Sequence, residues 1–188
     1  MIEAREAAGA LYGIWRIVRC DEKAFTFFNA TESGFWRSFT AAFLLVPLQA
    51  LYQITVYITL EDPPHALRMA AIEGLEYTIL WLLFPITMYY VVRLIGREDS
   101  FLRYIVAYNW FQLGIGFVVM PWIILTGFGF LPTSVADFAS TMSFVAYTFY
   151  AAFIARAGLS VAVGTAIGIV LIDILLTLMV GQVTVRMH

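Results

Sequence analysis

Five long apolar runs, separated by four short polar links, occupy the chain from Ser38 to Val180. About twenty consecutive apolar residues suffice for a helix to cross the hydrocarbon of a bilayer. Backbone polar groups find no water there, so a run of that length has to be helical. The pattern therefore selects an all-α fold, a polytopic bundle of five transmembrane helices. Composition agrees. Hydrophobic residues make up 62% of the chain and charged residues 13%, against about 45–50% and about 25% in soluble domains. A mean hydropathy of +0.84 is too high for one apolar core inside a polar shell.

The runs read Ser38 to Leu60, Ala71 to Ile95, Tyr104 to Leu125, Ser134 to Ala155 and Ser160 to Val180. "EDPPHA" ends the first, because consecutive prolines cannot continue a helix. "GREDS" and "TGFGFLP" follow the second and third. Ser134 with Asp137 has the form of a capping box. "RAGLS" offers Gly158 as a stop and Ser160 as a cap, and so short a turn makes the last two helices antiparallel neighbours.

Residues 1–36 read as an interfacial segment ahead of a membrane domain at 37–188. The stretch from Ile2 to Cys20 is too charged to span. Leu11, Ile14, Trp15 and Val18 nevertheless share one helical face, with Arg5, Arg16 and Arg19 off it. Two placements fit: an amphipathic helix lying in the membrane surface with Trp15 at headgroup depth, or a helix packed on the protein's own loops.

Charge orients the bundle. With five spans, nine of the eleven basic residues fall on one side, leaving only Arg68 and Arg186 on the other. The positive-inside rule then places the N-terminus in the cytoplasm and the C-terminus outside. An integral protein of a bacterial inner membrane is the expected setting. No apolar run precedes a cleavage site, so a cleaved signal peptide is not expected. The sequon Asn29-Ala30-Thr31 lies on the cytoplasmic side and is read as chance. A lone Cys20 excludes an internal disulfide and any cysteine-based metal site.

Polar residues inside the spans are the candidate sites. Gln49, Tyr52, Gln53 and Tyr57 lie close to one face of the first span, and Asn109 and Gln112 share a face of the third. Such groups should point inward and bond across helices, as structural bridges or as a polar-lined path. Glu73 and Glu76 share a face near the outer end of the second span, with Glu61, Asp62 and His65 nearby. Carboxylates with a histidine suit a divalent cation, but near the interface they read equally as solvated groups. No metal or cofactor is assigned. Pro47, Pro85 and Pro121 each remove a backbone hydrogen bond and favour a kink.

The fifth span is the most informative. Ser160, Gly164 and Gly168 form a small-residue stripe suited to close helix packing. Asp173 lies about 140° from that stripe, on the face of Ala162, Ala166 and Thr177. Both faces ask for protein, so the fifth helix is expected at the centre of the bundle or in contact with a second chain. A bare carboxylate at that depth is costly, so the neutral acid is the expected form. Depth counting places Tyr52 and Gln53 at its level.

"FVAYTFYAAFIARAGLSVAVGTAIGIVLIDILLTL" resembles the closing hairpin of the Ypt-interacting protein (YIP) family, an aromatic span, a "GLS" turn and a span opening with small residues. "RYIVAYNWFQLGIGFVVMPW" is similar to that family's third span, and five helices with a cytoplasmic N-terminus fit as well. The resemblance covers the second half of the chain. "ALYGIW" does not match the aspartate-containing motif of the eukaryotic members. The family implies a non-enzymatic integral membrane protein whose eukaryotic relatives bind small GTPases and act in membrane traffic or shaping. GTPase binding is not carried over, because its motif is unmatched.

No nucleophile elbow, phosphate loop or other catalytic signature occurs, so an enzyme is not expected. The leading expectation is a membrane scaffold or accessory subunit. Its partners would be the bilayer and another membrane protein or a second copy met through the fifth helix, and nucleic acid is not among them. The rival is a small transporter or proton/cation pathway using Asp173 with Gln49, Gln53 and Glu76.

Overall fold

The computed structural model describes residues 4–187, which form helices and short links with no strand among them. Residues 1–3, where the N-terminal segment is expected to begin, and residue 188 lie outside the described part. The helices are α1 (Ala4–Val18), α2 (Glu32–Ser38), α3 (Thr40–Thr59), α4 (Ala66–Leu94), α5 (Phe101–Gly127), α6 (Thr133–Leu159) and α7 (Val163–Val185). Short 3-10 helices cover Glu22–Phe27 and Glu98–Ser100. Among the described residues five stretches are long and apolar enough to cross a membrane, the first being α2 running into α3 over Glu32–Thr59.

The first two start earlier than hydropathy suggests, because polar side chains close their N-termini. Thr31 Oγ1 accepts from the Gly34 N–H at 3.1 Å, and His65 Nδ1 from the Leu67 N–H at 3.3 Å. Both ends of α6 differ from expectation. Ser134 and Asp137 make no capping box: Pro132 stands at the start of α6 and no side chain caps it. Gly158 is no helix stop but lies inside the last turn of α6, where a Cβ would sit 3.3 Å from the Tyr104 Cα. Ser160, expected to cap α7, ends α6 instead, in a left-handed conformation at φ 54°. Arg103 binds that end, donating to the Gly158 carbonyl at 2.8 Å and to Ser160 Oγ at 3.0 Å. A cation at a helix C-terminus also complements the helix dipole.

α5 is the central helix, not α7. It packs along α3 and α6 and touches α1 and α2; α7 packs on α6 and α4, and α4 meets α3 and α5 only sparingly. All eight residues from Tyr104 to Phe111 are buried. The glycines that admit close neighbours are on α5 as well. A Cβ at Gly114 would meet Ile14 at 2.9 Å, at Gly116 Leu45 at 2.7 Å, and at Gly127 Thr55 at 2.5 Å. A Cβ added at Gly164 or Gly168 would meet nothing within 4 Å, so no helix of the chain packs closely on that part of the stripe; Ser160 is held by Arg103 instead.

One end of the bundle, where α2, α5 and α7 begin and α4 and α6 end, is dense and carries α1. Ile17, Met88, Val92, Ile105, Ile154 and Leu159 are fully buried there. α1 is clasped by the segment that follows it. Gly13 lies against the Phe28 ring, Arg37 and Asn29 donate to Glu6 at 2.8 and 3.0 Å, and Tyr150 donates to the Val18 carbonyl at 3.1 Å. Arg16 Nε donates to Asp21 at 2.9 Å. That guanidinium, with the Lys23 N–H, holds the Asp21 carboxyl below the usual carboxylate range. The expected apolar face divides: Ile14 turns in toward Gly114, while Leu11, Trp15 and Val18 stay exposed. α1 therefore packs on the protein, as the second placement expected, and keeps an outward apolar face with Arg19 5.0 Å above the Trp15 ring.

Candidate functional site

Beyond the dense end the helices part around a cavity of about 600 Å³, walled by α4, α5, α6 and α7 with Leu45 of α3. Its walls are mainly apolar and aromatic, including Trp81, Phe84, Phe144 and Met120. Among the described residues no arginine, lysine or histidine lines it. Its polar floor is built around Asp173, which is only 5% exposed.

Helix geometry brings the floor together. α6 and α7 form an antiparallel hairpin, in which Tyr147 and Asp173 stand at similar distances from the turn. On α5, Tyr108 and Gln112 are four residues apart and share a face. The Tyr108 hydroxyl donates to Asp173 Oδ2 at 2.9 Å, and the Tyr147 hydroxyl donates to the same oxygen. Gln112 Nε2 donates to the Tyr108 hydroxyl at 2.6 Å. Phe84 packs its ring 4.3 Å from that of Tyr108, and Thr177 Oγ1 donates to the Asp173 backbone carbonyl at 3.0 Å.

Proton counting defines what this floor presents. Each tyrosine has one O–H, and both are directed at Oδ2. The two hydroxyl oxygens, 3.1 Å apart, then have no further proton to share. The amide of Gln112 fills a lone pair of Tyr108. Oδ1 of Asp173 accepts no hydrogen bond from the described residues, and no buried side-chain oxygen or nitrogen among them lacks a partner. Oδ1 is therefore the edge reached from the cavity. The acid can carry a proton there without disturbing either tyrosine, and the carboxylate can meet a cation there.

The other candidates fall elsewhere. Asn109 and Gln112 both line the cavity but bond in different directions, since Asn109 Nδ2 donates to Ser38 Oγ at 2.8 Å and joins α5 to α2. Gln53 is not at Asp173; its amide donates to Glu73 at 2.6 Å and links α3 to α4. Gln49, Gln53 and Tyr57 line a separate groove between those helices, whereas Tyr52 does not. Glu76 lies near Gly181 of α7. Among the described residues no group of three or more histidine, cysteine, aspartate or glutamate side chains is placed to hold a metal ion.

Sequence reasoning missed Tyr108 and Tyr147, singling out Asn109 and Gln112 on the third span and no polar side chain within the fourth. Counting residues from the α6–α7 turn would have paired Tyr147 with Asp173. Comparison with family models, with curated proteins and with solved structures finds no match to this chain.

Proposed function

We propose that the protein is a small membrane carrier in which Asp173 exchanges a proton for an organic cation. One observation carries this reading. A carboxylate oxygen faces an apolar, aromatic cavity whose lining contains no cationic side chain among the described residues, so its countercharge comes from a proton or from a ligand. Burying a lone carboxylate is costly without such a partner. The two tyrosine donors hold Oδ2 in place whichever partner is bound at Oδ1. Aromatic walls suit a cation with an apolar body, because ring faces attract positive charge. One proton leaves Oδ1 as one monovalent cation arrives, so charge balances.

The dense end carries most of the basic residues, which favours placing it in the cytoplasm. The cavity then faces the outer half of the membrane. The span-dominated chain favours a bacterial inner membrane.

The test is accumulation of the fluorescent cation rhodamine 6G in proteoliposomes under an imposed pH gradient, measured against protein-free vesicles. Wild-type protein should accumulate the dye and Asp173→Asn should not, with helicity unchanged by circular dichroism. Equal accumulation by the two proteins would remove the reading.

A second reading, an accessory subunit docking through α7, has its own support. Gly164 and Gly168 leave an open surface where a second helix can approach closely, and the YIP-like hairpin favours a non-enzymatic partner role. A stoichiometric partner that co-purifies in mild detergent and is lost in Gly164→Leu would favour it.

A further inference from the structure

Hydroxyl groups within the long helices fall into two kinds. Thr78, Thr126, Thr141, Thr148, Thr177 and Thr184 each donate to the carbonyl four residues back. That local bond satisfies a hydroxyl on a helix that water does not reach. Ser140 and Ser143 of α6 make no such bond, and neither side chain has a hydrogen bond to any other described residue. Both line the central cavity.

Helix periodicity puts them there. Ser140, Ser143, Phe144 and Tyr147 stand at i, i+3, i+4 and i+7, one stripe of α6, and all four border the cavity. Tyr147 ends the stripe at Asp173, to which its hydroxyl donates. Ser143 is one turn away from Tyr147 and Ser140 two turns. At a rise of 1.5 Å per residue they stand about 6 and about 10 Å further along the helix. Ser143 is half-buried, and Ser140, nearer the N-terminus of α6, is exposed. The cavity is therefore polar at two levels, the acid at its floor and the serine pair one to two turns away. Its other walls include Trp81, Phe84, Ile115 and Met120.

We infer that Ser140 and Ser143 select the cation bound at Asp173, and that this cation is an elongated aromatic amine with a hydroxyl at the end away from its charge. The inference rests on the reading of Asp173 as the cation site and adds the substrate class. An ammonium held at Oδ1 leaves the far part of its ligand beside the serines. A ligand hydroxyl needs both a donor and an acceptor, and two serine hydroxyls supply both. An aromatic ring fills the space between, against the faces of Trp81, Phe84 and Phe144. A wholly apolar tail would leave both serine hydroxyls unpaired against it, which costs binding energy. Sites built to hydrogen-bond a substrate hydroxyl discriminate against the analogue that lacks it.

The test is equilibrium dialysis of radiolabelled tyramine and phenethylamine against full-length protein in lipid nanodiscs, with protein-free nanodiscs subtracted. The two amines differ only in the phenol hydroxyl, at the far end of the ring from the ammonium. Wild-type protein should bind tyramine about two- to tenfold more tightly, the range expected for one hydrogen bond. The double variant Ser140→Ala with Ser143→Ala should bring that ratio to about one. The readout is a ratio within one protein, so a general loss of folding does not imitate it. No preference in wild-type protein, or the same preference in the double variant, would overturn the role of the serines, and the carrier stands if Asp173→Asn still loses both amines. Failure of both amines to bind wild-type protein that binds rhodamine 6G would overturn the substrate class alone. Binding of both amines that survives in Asp173→Asn would overturn the carrier itself.

Discussion

Alanine placed at Gly127 and at Gly164 should act in opposite directions. At Gly127 the new Cβ would lie 2.5 Å from the Thr55 Cβ, 2.7 Å from its Oγ1 and 3.0 Å from its Cγ2. Thr55 cannot turn aside. It is buried, and its hydroxyl is committed to the Tyr52 carbonyl at 2.7 Å. Relief therefore requires α3 and α5 to separate, which disturbs the most extensive helix pair in the bundle. Overpacking of this kind costs about 1–3 kcal/mol, and the better helix propensity of alanine returns up to about 1 kcal/mol. The net effect is destabilisation by about 1–2 kcal/mol. At Gly164 the same methyl group meets nothing, so only the propensity gain of up to about 1 kcal/mol remains. The assay is thermal unfolding in one detergent, followed by tryptophan fluorescence. For a chain of this size about 1 kcal/mol moves the midpoint by about 2–4 °C, so Gly127→Ala should melt about 2–8 °C lower and Gly164→Ala up to about 4 °C higher. A lower midpoint for Gly164→Ala, with Gly127→Ala unchanged, would refute this reasoning and place the tight helix contact on α7.

Three further outcomes are expected. In intact cells of a Cys20→Ser background, single cysteines at Thr133 and Arg97 should be labelled by impermeant reagents from opposite sides; labelling of both from one side would remove the five-span topology. Tyr147→Phe deletes one of the two donors to Asp173, and hydrogen bonds to charged groups are worth about 1.5–3 kcal/mol. Rhodamine 6G affinity should fall by about tenfold or more, and an unchanged dissociation constant would separate the cluster from binding. The pairing of Asp21 with Arg16 makes α1 sensitive to acid. A carboxyl held low in the folded protein stabilises fully above its ordinary range, and that contribution is lost as pH falls through the lowered value. Trp15 fluorescence should report loosening of α1 in acid, an effect that Asp21→Asn abolishes.

The helical class and the five long runs were legible because hydropathy and length respond to solvent alone. What hydropathy cannot show is which side of a helix meets which neighbour. The α7 stripe has the i, i+4 spacing of a packing motif and faces open space. Gly114 and Gly116 stand two residues apart, on nearly opposite sides of α5, because they serve different partners, Ile14 and Leu45. That arrangement makes no stripe. Asp173 was legible as an anomaly, and the need for hydrogen-bonding partners followed from its depth. Their identity did not, because the depth count pointed to Tyr52 and Gln53 of the first span and passed over Tyr108 and Tyr147 of the third and fourth, whose hydroxyls sit far out on rings that read as apolar. The error at Ser160 is local. A serine after a glycine resembles a cap by type, but Arg103, distant in sequence, binds the last turn of α6, and that helix runs one residue past Gly158 before Ser160 ends it.

The Asp173 cluster also orders events during synthesis. Tyr108 precedes Tyr147 by 39 residues and Asp173 by 65. At about 5–20 residues per second, α5 waits for seconds before the acid exists. When α7 emerges, it has to cross carrying that acid. An aspartate at mid-helix costs about 2.5–3.5 kcal/mol during insertion, whereas leucine, isoleucine and valine each contribute about −0.3 to −0.6 kcal/mol. α7 is rich in those three residues and has a hydropathy of 2.4, above the 1.4–1.6 of the other four spans. It can therefore enter lipid unaided, before the tyrosines are in reach. The most hydrophobic span brings in the most costly side chain, and the cluster of Asp173 with Tyr108 and Tyr147 closes as the last step of assembly.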